Sequence, residues 1–77
     1  MKFLGVTNMI KLTKREYEIL QRAGMSNCDI ANELALTEGT VANHFRSIFI
    51  KLGATNRAEA VIVAIRKRVL DVYSFKI

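Results

Sequence analysis

The sequence predicts an all-α fold, a four-helix bundle containing a helix-turn-helix, and three observations carry that prediction. Capping residues punctuate the chain: Thr13, Ser26 and Asn56 are each followed three residues later by Glu16, Asp29 and Glu59, and Thr37 is followed by Glu38. Between these marks apolar residues recur at intervals of three and four, the period of a helix with one buried face. The 77 residues contain no proline, and 51% of them are hydrophobic. A chain of this length supports one small domain with little margin of stability, so burial against a partner subunit would help it.

The first helix starts at about Lys14, where Thr13 and Glu16 form a capping box: the hydroxyl accepts from a first-turn N–H and the carboxylate returns to the cap. Tyr17, Ile19, Leu20 and Ala23 are its buried face, and Gly24 is placed to end it in a left-handed conformation. Ser26 opens a second helix with Ile30, Ala31 and Leu34 inward and Asn27, Asp29, Asn32 and Glu33 outward; it stops at Ala35-Leu36. Thr37 caps the third, in which Val41, Phe45, Ile48 and Leu52 recur at four, three and four until Gly53 terminates it. Asn56 opens a fourth, Arg57 to about Leu70. Residues 1–11 form a lead and 71–77 a tail around the domain at 12–70.

Two short helices joined by Leu34 to Thr37 make a helix-turn-helix if Ala31 allows a close crossing, the chain turns at Ala35 and Val41 plugs the gap. The stretch TVANHFRS then turns Val41 and Phe45 inward and amide, guanidinium and hydroxyl groups outward. Asn43 and Arg46 are three apart and share a face, with Ser47 one turn beyond Asn43. An Asn amide can pair with adenine and an Arg fork with guanine in the major groove, each worth about 1–3 kcal/mol of discrimination. Twelve Lys and Arg against seven Asp and Glu, a net charge of +5, suit a polyanionic partner.

At these residues the chain resembles the LuxR-type (GerE-type) DNA-binding domain. LTKREYEIL and SNCDIANELALTEGTVANHFRSIFIKLGATNRAEAV stand where the family reads approximately LTxREREVL and SNKEIAxxLxISExTVKxHxxxIxxKLGVxNRxEAV. The resemblance implies a four-helix fold, a third helix in the major groove of double-stranded DNA and, often, dimerisation through the fourth helix; a homodimer on an inverted-repeat site is expected. A chain of this size is expected to be a stand-alone domain, whereas most of the family carry an added sensor or receiver domain. Carried over position by position, base-reading contacts fall on Ala42, Asn43, Arg46 and Ser47, and phosphate contacts on Thr37, Thr40 and Lys51. Ala42 departs from the family's usual Lys or Arg and can offer only a methyl; Ile50 departs from a frequent basic residue. The fourth helix, with its apolar AVIVAI, is assigned Ala60, Val61 and Ala64 as core, which leaves Ile62, Ile65 and Val69 as a stripe for a dimer contact or, alternatively, for cover by residues 1–11 or the tail.

Lys14, Arg15 and Arg57 stand at or near helix starts, against the local dipole, which points to phosphate-facing roles. The run Arg66-Lys67-Arg68 complements a helix C-terminus. His44 lies beside Val41 and Ile48 on the packing side, and no catalytic set accompanies it, so no enzyme is expected. One cysteine, Cys28, and one histidine give neither a disulfide framework nor a metal site, and no cofactor is implied. With no membrane-length apolar run and no signal-peptide core, a cytoplasmic protein is expected. The function expected is a sequence-specific transcription regulator, with RNA polymerase a further candidate partner. The rival is a small interaction module that pairs through its fourth helix with a larger regulator; a sigma-factor-like domain shares the turn but lacks the KLGATNRAEA continuation.

Overall fold

The computed structural model describes residues 11–71 and Tyr73; what was expected of residues 1–10, 72 and 74–77 lies outside the described residues. The described chain forms four helices, α1 (Lys14–Leu20), α2 (Asn27–Leu34), α3 (Glu38–Leu52) and α4 (Arg57–Arg66), and no strand. All four begin where the caps predicted. Thr13, Ser26, Thr37 and Asn56 are extended, and each side chain accepts from the N–H three residues on. Such a cap contributes about 1 kcal/mol. Only the first is a full reciprocal box, closed by Thr13 N donating to Glu16 Oε1 at 2.9 Å. At α4 the returning carboxylate goes one residue further back, where Glu59 Oε1 accepts from the Thr55 N–H and hydroxyl at 2.6 and 2.9 Å.

The helix ends depart more from expectation. Gly24 does not terminate α1 in a left-handed conformation: among the described residues only Ala35, Gly53 and Arg68 have positive φ. The helix instead tightens after Leu20 into turns bonded from Arg22 N to Ile19 O and from Ala23 N to Leu20 O, and the Arg22 guanidinium caps the Glu18 carbonyl at 2.6 Å. The fourth helix also ends early, at Arg66 rather than near Leu70. There Arg68 takes φ 62°, Val69 N donates to Ala64 O at 2.8 Å, and Leu70 swings back to be buried. Left-handed residues at Ala35, Gly53 and Arg68 close α2, α3 and α4 by the same motif, in which the following N–H reaches back to a carbonyl in the last turn. Only one of the three is a glycine.

The core collects Ile19, Leu20, Ile30, Ala31, Val41, Phe45, Ile48, Leu52, Ala60, Ala64 and Leu70. α3 is its axis, packing on α1, α2 and α4 in turn. Its buried residues are Val41, Phe45, Ile48 and Leu52, the periodic set expected. Each such large side chain contributes about 1.5–3 kcal/mol on burial. The same helix therefore organises the core with one face and leaves the other to solvent.

Candidate nucleic-acid interface

The turn ahead of α3 sets its direction. Ala31 is buried, and its carbonyl accepts from Leu36 N at 2.8 Å as Ala35 passes through φ 59° and ψ 46°. Val41, near the start of α3, is fully buried. Small, turning and branched residues thus occupy the three positions the spacing assigned to them. Thr37 then fixes the first turn of α3: its Oγ1 accepts from Thr40 N at 3.1 Å and donates to Thr40 Oγ1 at 2.9 Å. Thr37 is exposed and Thr40 half-buried.

Opposite the buried face, Gly39, Ala42, Asn43, Arg46 and Ile50 are exposed. Asn43 and Ile50 are seven residues apart, within about 20° of each other around the helix. Arg46 lies between them, one turn before Ile50. Asn43 and Arg46 make no hydrogen bond or ion pair with any described residue, so their donors are available to a ligand. Arg46 is the cation of this face that no carboxylate of the described residues engages.

Ser47 and Lys51 sit at the margin of that face and are held by a group the sequence reading placed only in a cap. Glu16 is 4% exposed. Its Oε2 accepts from Ser47 Oγ at 2.7 Å and its Oε1 from Lys51 Nζ at 2.7 Å, besides the Thr13 amide. Burial pushes this carboxyl up, but the hydrogen bonds from Lys51, Thr13 and Ser47 and the Lys51 charge outweigh it and hold it below its ordinary value. The ionised carboxylate therefore locks the second half of α3 onto the start of α1. A signal for it existed: Glu16 is three, four and seven residues from Ile19, Leu20 and Ala23, on the inward stripe.

Arg57 turns inward. Its Nη1 donates to the Met25 carbonyl at 2.6 Å and to that of Ala23 at 3.5 Å, and its Nη2 bonds Asn27 Oδ1. The guanidinium carbon lies 4.1 Å from the Phe45 ring centroid, a cation–π contact. Burial lowers its pKa, though an arginine remains charged. These carbonyls account for a cation at a helix start without a phosphate, and they make Asn27, expected to face outward, half-buried. Arg15 pairs with Glu18 at 3.3 Å on the surface, and Lys14 is exposed. His44 is half-buried, and Cys28 is exposed with its Sγ 3.8 Å from Asn32 Nδ2.

The stripe expected on the fourth helix is broken by the early end of α4. Ile62 is 54% exposed, whereas Ile65 and Val69 are half-buried and packed against the core, and Val69 lies beyond the helix. Ala60 and Ala64 are fully buried, as the resemblance implied, while Val61 is half-buried.

A family model for bacterial regulatory proteins of the luxR family, GerE, matches residues 10–64. The chain is 42% identical over 60 residues to the transcriptional regulatory protein LnrK of Bacillus subtilis, covering 75% of this chain and 27% of that protein. It is 44% identical over 62 residues to the probable transcriptional regulatory protein NarL of Mycobacterium tuberculosis, covering 78% and 29%. To the HTH-type transcriptional regulator MalT of Yersinia pestis it is 44% identical over 52 residues, covering 65% and 6%. The chain spans less than a third of the length of these relatives. No solved structure matches it. On the family match and these identities, the chain belongs to the luxR (GerE) family of bacterial regulatory proteins.

Proposed function

We propose that this chain is a sequence-specific DNA-binding transcription regulator whose α3 lies in the major groove of double-stranded DNA. The observation that carries the reading is the division of α3 into a buried face that organises the core and an exposed face with unengaged Asn43 and Arg46. A groove helix needs that division, because base discrimination requires side chains whose hydrogen bonds are unmade until DNA arrives and whose backbone does not move. Asn43 and Arg46 read base edges, with the Ala42 methyl beside them. Ser47 reaches bases only from the margin, since its hydroxyl proton is given to Glu16. Thr37, Thr40, Lys14 and Arg15 are the phosphate contacts, joined by Lys51 through the N–H groups that Glu16 leaves to it. Arg57 serves the fold.

The regulator acts as a homodimer on an inverted repeat, with Ile62 at the centre of the contact, supported by its exposure on α4 beside Ala58 and Val61. The same exposed Ile62 favours the second reading, in which α4 pairs with a larger regulator and blocks it. Selection from a random duplex pool tests the proposal. Enrichment of an inverted repeat with half-sites about one helical turn apart is expected, with Ile62→Asp weakening binding to the full repeat and sparing one half-site. An unenriched pool would overturn the DNA reading in favour of the interaction module.

A further inference from the structure

Ile50 is the one large hydrophobic side chain of α3 that stands in solvent, 77% exposed, while the others on this helix are buried or half-buried. A lone exposed isoleucine needs no explanation on an ordinary surface. This one closes the C-terminal end of the face that presents Asn43 and Arg46, directly across the helix from the Val41, Phe45, Ile48 and Leu52 stripe. In a major groove every base edge is a pattern of donors and acceptors, and the one apolar feature is the C5-methyl of thymine. An isoleucine can neither bond a phosphate nor pair with a base edge, but it can cover that methyl.

We propose that Ile50 is a specificity-determining residue that packs on a thymine C5-methyl; this rests on the reading of α3 as a major-groove helix. The spacing fixes where that thymine stands. Ile50 follows Arg46 by four residues, about 6 Å along the helix axis, or about two base-pair steps at 3.4 Å each. Ala42 precedes Arg46 by the same distance with a smaller methyl. The face is therefore a guanidinium flanked by two apolar groups, matched to a guanine with a thymine about two base pairs to the Ile50 side. The departure from a cation at position 50 then exchanges general affinity for discrimination.

The test uses the preferred duplex from the random pool, with each thymine replaced in turn by deoxyuridine, which removes one methyl and leaves the pairing edge unchanged. One position, about two base pairs from the guanine read by Arg46, is expected to cost about fourfold in affinity, the worth of one buried methyl. Ile50→Ala should bind the parent duplex more weakly, show no deoxyuridine penalty at that position and keep the Arg46-dependent guanine preference, which also shows that the variant is folded. With a C·G pair placed there, 5-methylcytosine should recover part of the loss for the parent and none for Ile50→Ala. A duplex indifferent to every methyl, or an equal penalty in parent and variant, overturns the role of Ile50 and leaves DNA reading intact. A pool with no enriched sequence overturns both.

Discussion

Replacing Glu16 by Gln keeps the shape of the side chain and removes its charge. The carboxylate accepts three bonds, from Thr13 N at 2.9 Å and from Ser47 Oγ and Lys51 Nζ at 2.7 Å. A glutamine has one acceptor oxygen and turns an NH2 toward the other donors. Charge-assisted bonds contribute about 1.5–3 kcal/mol where neutral ones give about 0.5–1.5, so the Ser47 and Lys51 bonds would together lose about 2–3 kcal/mol. The Lys51 side chain is 34% exposed, and screening discounts its share, leaving a loss of about 1–2 kcal/mol. At about 4–8 °C per kcal/mol for a domain of this size, Tm should fall by roughly 5–15 °C. The pH dependence has a definite sign. Glu16 is held below its ordinary value in the fold, so its stabilisation is complete above the unfolded value of about 4.3 and is lost as pH falls through the folded one. Thermal unfolding followed by circular dichroism from pH 7 to pH 3 should show the parent's advantage over Glu16→Gln shrinking below about pH 4.5. Parallel pH profiles, or equal Tm at pH 7, would refute the idea that an ionised Glu16 anchors α3.

The backbone makes a paired prediction: Ala35→Gly, at φ 59°, should raise stability by about 0.5–1 kcal/mol. Gly53→Ala, at φ 69° with nothing within 4 Å of an added Cβ, should lower it by about 1 kcal/mol through backbone strain alone; urea unfolding measures both. Arg57→Met should cost about 2–4 kcal/mol by removing the bonds to the Ala23 and Met25 carbonyls and the stack on Phe45. It should leave the slope of log affinity against log salt unchanged, and a slope reduced by about 0.9 would show a phosphate contact after all. Ala42→Lys should raise affinity for all duplexes and steepen that slope by about 0.9, as read by fluorescence anisotropy at several salt concentrations.

Helix starts and the core face of α3 were legible because each is a local matter: an oxygen at Thr13, Ser26, Thr37 or Asn56 meets an N–H three residues away, and Val41, Phe45, Ile48 and Leu52 repeat with the helix. Helix ends were only partly legible: those at Ala35 and Gly53 stand where the sequence puts them, whereas Gly24 does not end α1. Arg68 is a left-handed residue whose identity does not announce it, so the apolar pattern runs on past Arg66 and through Val69, where the fold breaks it. Long-range polar pairing was the least legible. Glu16 joins Ser47 and Lys51 across more than thirty residues of sequence, and Arg57 reaches back as far to Met25 and Asn27. Each had a sufficient local explanation, a cap for Glu16 and an exposed cation at a helix start for Arg57, and packing supplied the other partners.

The central claim is that the exposed face of α3 reads bases, and the direct measurement is the affinity of the parent and of Arg46→Ala for the selected duplex and for a scrambled duplex of the same length, at one fixed salt concentration. The account predicts a loss of about 1–3 kcal/mol on the selected duplex, a much smaller loss on the scrambled one, and a relaxed preference at a single base pair in each half-site. Equal losses on both duplexes would contradict it, because Arg46 would then be one more positive charge near the phosphates.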